Sequence, residues 1–396
     1  MQKKIISLLL VLTMCLTCVT VSFAEEDEEV SIAEFLGITD SEAATELAQE
    51  EEDEAFVTPP SDPVDPSRPL YEIDGSYIVT LSFTGDVTIG GNVQASGKSA
   101  FDRELERQKG DITFPFRNVK DILAADDLTV VNFEGTLTTA GRNPSKRNNS
   151  FLFRAPPEYV GMLRPGGIDA VSLENNHVLD MGEDGLAETK QTLLDAGVPY
   201  ASEGEPAIVY ARGVKVGLLA YQTFGNRHDE IIAKLPADIA ALRAEGCVIV
   251  VANYHWGAEL DYKPNNNQIR LGRATIDAGA DLVIGHHSHR INPIELYKGK
   301  YICYSLGNFS FAGNNKPSDM STFIFQVRFH AKDGQATTEA FRIIPCSISS
   351  RTDRNDFTPT PYTKMKDVEN LLARLKKNEA GLEYAVEEYP LKWPEQ

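Results

Sequence analysis

Along most of the chain, short apolar runs alternate with segments whose apolar residues recur at helical spacing. The runs predict strands over residues 77–83, 128–132, 168–172, 207–210, 215–221, 248–253 and 281–284. Between them the spacing predicts helices over 119–125, 184–196, 237–245 and 267–278. The second helix carries Leu186, Leu193 and Leu194 on one side and stops at Gly197, and the last stops at Gly279. A strand-rich stretch follows, over 301–305, 322–329 and 339–344, and 362–377 reads as a surface helix. Helix–strand alternation followed by hairpin-like strands predicts two sheets flanked by helices, an α/β fold.

The first 69 residues have a different pattern. Lys3 and Lys4 precede an apolar run over 5–21, and Ser22-Phe23-Ala24 places small residues where a signal peptidase cleaves, so 1–24 reads as a secretory signal. Residues 25–69 hold 16 acidic residues against one basic, and five prolines crowd 58–69. This is the composition of a disordered acidic tail and a stiff spacer. One folded domain is expected over 70–396. It would lie outside the cytoplasm, secreted or at the cell surface, with an uncleaved N-terminal anchor as the other outcome of the leader. Cys247, Cys303 and Cys346 remain after the leader. Three cysteines make no disulfide framework, and buried free thiols are expected.

Charge follows the same division. The net charge of −20 splits into +2 for the leader, −15 for 25–69 and −7 for the rest of the 396-residue chain. Such a balance argues against nucleic acid as a partner and against docking on anionic lipid by charge.

The candidate chemistry sits where strands end. Apolar runs lead into Thr84-Gly85-Asp86, Asn132-Phe133-Glu134-Gly135, Glu174-Asn175-Asn176-His177, Asn253-Tyr254-His255-Trp256-Gly257 and Gly285-His286-His287-Ser288-His289. In open α/β sheets ligands bind beyond the carboxyl ends of the strands. Five of the seven histidines fall in these motifs, and only His228 and His330 lie elsewhere. Carboxylate, amide and imidazole without thiolate suit Mn, Fe, Zn or a similar divalent ion, one or two per site. Each residue alone has a plainer reading, as a turn, a helix cap or a hydrogen-bonded core histidine. Their concentration at strand ends favours a site.

The ordered set from Gly85-Asp86 through His255-Trp256-Gly257-x-Glu259 and Gly285-His286-His287-Ser288-His289 to Ser305-Leu306-Gly307-Asn308-Phe309 resembles the CapA family. These are bacterial proteins linked to poly-γ-glutamate capsule synthesis. The family is in turn similar to calcineurin-like metallophosphoesterases, which implies a four-layer α/β/β/α sandwich and a dinuclear metal site. The resemblance implies metal roles for Asp86, Glu134, Asn176, His255, His287 and His289, with His177 as the catalytic residue assisting the leaving group. His286 then stands where that motif has glycine. Arg154, Glu259 and Asn308 are substrate-binding candidates. The chain departs from the phosphoesterase pattern in two places. The first motif reads Asp86-Val87-Thr88 instead of Asp-x-His, and Asn132-Phe133-Glu134 supplies a single carboxylate. Both changes weaken one of the two metal positions.

Three functions fit this reading. The first is a CapA-like protein acting in synthesis, export or anchoring of an anionic polymer such as poly-γ-glutamate, alongside membrane-bound capsule synthesis proteins. The second is a secreted metal-dependent phosphoesterase or other hydrolase. The third is a non-catalytic polyanion-binding module with a degenerate metal site. Arg142, Lys146, Arg147 and Arg154 form a basic stretch that could meet an anion or simply be a solvated loop.

Overall fold

The computed structural model describes residues 75–94, 96–146 and 151–394, with the backbone of two short strands near the start. The chain divides into two compact units, Met1–Ser61 and Asp62–Gln396. In the first, β1 (Thr20–Val21) and β2 (Val30–Ser31) pair antiparallel. The expected leader, acidic tail and linker otherwise lie outside the described residues. Among the described residues no helix is long and apolar enough to cross a membrane.

In chain order the second unit contains β3 (Tyr77–Thr88), β4 (Gly91–Asn92), α1 (Ala100–Arg107), α2 (Lys120–Leu123), β5 (Leu128–Phe133), β6 (Phe153–Arg154) and β7 (Ala170–Ser172). Then come α3 (Gly182–Asp195), β8 (Tyr200–Ala201), β9 (Ala207–Ala211), β10 (Val214–Gln222), α4 (His228–Ala244), β11 (Ile249–His255), α5 (Asn266–Asp277) and β12 (Leu282–His286). It closes with β13 (Ile294–Tyr297), β14 (Lys300–Cys303), β15 (Asn308–Phe311), β16 (Ser321–Lys332), β17 (Gln335–Ser347), β18 (Thr360–Pro361) and α6 (Met365–Asn378).

The eight-stranded sheet runs β18-β17-β16-β3-β5-β7-β8, with β15 paired to β3 off that path, and the six-stranded sheet runs β13-β14-β12-β11-β10-β9. β3, β5, β7 and β8 are mutually parallel, as are β10, β11, β12 and β14. Side chains alternate between the faces of a strand, and this sorts three cores. Leu81, Phe83 and Val130 meet Val216, Leu218, Val251 and Ile284 between the sheets. Val87, Val131 and Phe133 pack outward on Phe101 of α1, Leu123 of α2 and Leu193 of α3. Val250, Ala252 and Val283 pack outward on Leu235 of α4 and Leu271 of α5. The order of layers is α/β/β/α, as expected.

Several elements differ from the sequence reading. β3 runs five residues beyond Phe83, carrying Thr84-Gly85-Asp86 inside the strand rather than after it. Its partner β16 leaves at Phe83 and β15 replaces it, pairing Asn308 with Asp86 and Phe311 with Thr88. α4 starts at His228 and continues through Pro236, which the pattern treats as a boundary. Burial of Ile231, Leu235, Ile239 and Leu242 along one face holds the helix together across the missing hydrogen bond. Leu194 is 52% exposed, while Leu193 is fully buried. α6 buries Val368, Leu371 and Leu375 and exposes its other face. The three cysteines are buried and free, as expected.

Candidate metal centre

The polar strand ends of both sheets meet in one crevice. β3 brings Asp86, the end of β5 brings Asn132 and Glu134, and the turn after β7 brings Asn176 and His177. From the other sheet, β11 ends at His255, and His287 and His289 follow β12. β15 contributes Asn308 from the side.

Two groups of donor atoms can be distinguished. In the first, Nδ1 of His289 lies 3.0 Å from Oδ2 of Asp86 and 2.9 Å from Oδ1 of Asn308. In the second, Nε2 of His255 lies 2.8 Å from Oδ1 of Asn176 and 2.9 Å from Nδ1 of His287. Glu134 stands between them. Its Oε1 is 3.6 Å from Nε2 of His177 and 4.0 Å from Nε2 of both His255 and His289. Donor atoms of Asp86, Glu134 and His289 all lie within 4.8 Å of one another.

Glu134 is fully buried, and neither of its carboxylate oxygens has a hydrogen-bond partner. An ionised carboxylate in that state costs several kcal/mol unless a cation faces it. Burial, reinforced by the charge of Asp86, pushes the Glu134 carboxyl well above its ordinary range. Burial would do the same at Asp86, but the imidazoles of His286 and His289, 3.2 and 3.0 Å from its oxygens, outweigh it and hold that carboxyl well below the usual value. Burial disfavours charge on His289, yet Glu134 and Asp86 lift it to about 9. Burial and the neighbouring histidines keep His255 neutral, well below its usual value, and burial drops His287 to about 4. Neutral imidazoles beside an orphaned carboxylate and two amide oxygens form a donor set that fits a divalent cation.

The backbone at two of these histidines is strained. His287 and His289 adopt positive φ, 91° and 53°. For residues other than glycine this costs about 1–3 kcal/mol each, and such strain gathers at functional sites. Outer contacts then orient the rings and carboxylates. Asn132 donates through Nδ2 to Oδ1 of Asp86 at 2.8 Å. Asn175 donates through Nδ2 to the Phe133 carbonyl at 2.8 Å and accepts the His177 amide at 3.0 Å. Nδ1 of His177 lies 2.7 Å from Oδ2 of Asp180, leaving Nε2 toward Glu134.

All six metal candidates and His177 therefore gather in one place. Asn308 joins them at the centre. His286, placed at the glycine position of the motif, is buried with Nδ1 3.2 Å from Oδ1 of Asp86. Glu259 is exposed in the loop after β11, and its charge raises both Glu134 and His289. Arg154 is not brought to the centre by its hydrogen bond, which goes to the Ala140 carbonyl at 2.9 Å. Lys146 is committed to the Asn176 carbonyl (2.6 Å) and to Asp180 (3.0 Å), and Arg147 lies outside the described residues. Sequence reasoning missed Asp180, although a carboxylate three residues after His177 was a readable signal. It also missed Phe153 and Phe224, whose rings lie 4.5 Å from that of His177 and 4.7 Å from that of His287.

The family model described as bacterial capsule synthesis protein PGA_cap matches residues 80–312, a span that holds every residue of the crevice. The chain belongs to this capsule synthesis protein family. Within it, the PGA biosynthesis protein CapA of Bacillus subtilis (strain 168) is 30% identical over 72% of this chain and 74% of its own. The capsule biosynthesis protein CapA of Bacillus anthracis is 27% identical over 76% of this chain and 73% of its own. Among solved structures, the calcineurin-like phosphoesterase YfkN from Bacillus subtilis aligns at a TM-score of 0.42 and 17% identity, over 76% of this chain and 98% of that one. The family membership covers Asp86 through Asn308, so the CapA-like motifs and the crevice are the same part of the chain.

Proposed function

We propose that this capsule synthesis family member acts outside the cytoplasm on a poly-γ-glutamate-type polymer, in its synthesis, export or anchoring. In this reading it works as a hydrolase through one or two divalent cations of the Mn, Fe or Zn class, beside membrane-bound synthesis proteins. The observation that carries the reading is Glu134, a buried carboxylate without a hydrogen-bond partner, set between the Asp86, His289 and Asn308 group and the neutral imidazoles of His255 and His287 beside Asn176. The relatives named for PGA and capsule biosynthesis supply the polymer, and the apolar run over 5–21 supplies the address.

Asp86, Glu134 and His289 would hold one cation, and Glu134, Asn176, His255 and His287 a second. Such a cation supplies Lewis acidity, bringing the pKa of water toward neutrality and polarising a scissile carbonyl or phosphoryl group. The chain's own part is orientation and proton transfer. Asp180 fixes the His177 ring through Nδ1, and once the ring is protonated at both nitrogens its Nε2–H would give the proton to the leaving group, leaving the neutral imidazole on Asp180. Phe153 packs its ring at a tilt against His177, with centroids 4.5 Å apart. The acidity of the whole chain does not oppose a polyanion here, because bound cations set the local sign.

Turnover tests this. The full chain loaded with Mn, Fe or Zn is offered poly-γ-glutamate and a phosphodiester. Cleavage that falls about 10²–10⁴-fold in His177→Ala is expected. No rate above that variant with any metal or substrate would contradict hydrolysis. Polymer binding that survives both chelation and His287→Ala/His289→Ala would instead make the protein a binding module.

A further inference from the structure

We infer that Asn308 is a cation ligand, its side-chain carbonyl completing the position formed by Asp86 and His289. The inference rests on the cation-binding reading of the crevice and goes beyond it by assigning a residue and a metal preference. Oδ1 of Asn308 and Oδ2 of Asp86 converge on one nitrogen, Nδ1 of His289, at 2.9 and 3.0 Å. Asn308 is 5% exposed and sits opposite Asp86 in the parallel pairing of β15 with β3. The pairing is fixed by backbone: the Asp86 amide donates to the Gly307 carbonyl at 2.9 Å. It is also fixed by glycine, since a Cβ at Gly85 would lie 2.2 Å from that carbonyl oxygen. The strands approach this closely because Gly85 has no side chain at the crossing.

Thr88 is the other residue of β3 that could serve, two positions from Asp86 on the same face. It does not serve, because it is fully buried and its hydroxyl donates to the Glu134 carbonyl at 2.6 Å. The imidazole that the sequence lacks at Thr88 is thus replaced from another strand by an amide oxygen. The resulting position has oxygens from Asp86, Glu134 and Asn308 and a single imidazole. The position at Asn176, His255 and His287 has two. Hard oxygen donors favour Mn²⁺ and imidazole favours Zn²⁺ at this comparison, so the two positions should differ in preference.

The test is titration of the chelator-stripped full chain with Mn²⁺ and with Zn²⁺ by calorimetry, with melting curves to establish folding. Asn308→Ala should lose one Mn²⁺ equivalent, or bind it at least about tenfold more weakly, while Zn²⁺ uptake at the imidazole-rich position persists. Asn308→Asp keeps the oxygen and should bind Mn²⁺ at least as tightly as the natural chain. Asn308→His should shift preference toward Zn²⁺. Natural Mn²⁺ affinity and stoichiometry in Asn308→Ala would overturn the assignment. So would equal weakening in Asn308→Asp and Asn308→Ala, the signature of a residue that only props the His289 ring. If the natural chain takes up neither ion, the cation reading of the crevice itself fails, an outcome distinct from those two.

Discussion

Asp180 is fully buried, and its carboxylate serves three groups at once: the His177 ring, the Phe153 amide at 2.7 Å and the Lys146 ammonium at 3.0 Å. Asp180→Asn keeps the volume and one acceptor but loses the charge that fixes the His177 tautomer. A fall of about 10–100-fold in turnover is expected, with metal content unchanged. A loss of metal together with activity would place Asp180 in folding rather than in orientation. Residue identity at the strand ends was legible from the sequence, because polar side chains directly after apolar runs are conspicuous. Partnership was not. Nothing in the spacing of Asp86 and Asn308, more than 200 positions apart, shows that a parallel strand pair sets them side by side.

At the level of elements, the crossing of β3 and β15 is the most exposed to a single change. Gly85→Ala drives a methyl group into the Gly307 carbonyl. Overpacking of this kind costs about 1–3 kcal/mol, so the variant should fold with reduced stability while its Mn²⁺ binding falls as in Asn308→Ala. Natural Mn²⁺ binding in Gly85→Ala would show that the strand contact does not position the site. A second element-level device joins α6 to the start of β16. Asp319 accepts from the Ser321 amide at 3.0 Å and the Tyr262 hydroxyl at 2.7 Å, and it pairs with Arg374 of α6. Burial would raise this carboxyl, but hydrogen bonds from the Ser321 hydroxyl, the Tyr262 hydroxyl and the Ser321 amide, together with Arg374, hold it below its usual value. Its contribution is therefore complete above about pH 4, the unfolded value, and disappears as pH falls through the lower folded value. Asp319→Asn should cost about 1–3 kcal/mol at pH 7 and progressively less in acid, read by denaturant unfolding across that range. An equal cost at every pH would mean that the charge contributes nothing.

The whole molecule shows how far the pattern of apolar runs reaches. Alternation of strand and helix gave the two sheets and their flanking helices, since periodicity reports which faces are buried. It did not show that β3, β5 and β7 belong to one sheet and β11 and β12 to the other. The crevice is consequently a junction between the carboxyl ends of two parallel sets, not the edge of a single sheet. Element ends were less legible for the same reason: tertiary pairing extends β3 through β15, and tertiary burial carries α4 through Pro236. The basic stretch illustrates the point in reverse. Lys146 is spent inside the protein on the Asn176 carbonyl and on Asp180, so a charge that reads as part of a basic loop supports the carboxylate beside His177 instead.

Everything proposed for the chemistry depends on cations held by both sheets together. The most direct measurement is the metal content of the purified full chain, by elemental analysis, beside that of His287→Ala/His289→Ala, which removes one imidazole from each donor group. The account predicts Mn, Fe or Zn at one or two equivalents in the natural chain and loss of that metal in the double variant, with the fold retained. Equal metal content in the two proteins would contradict it.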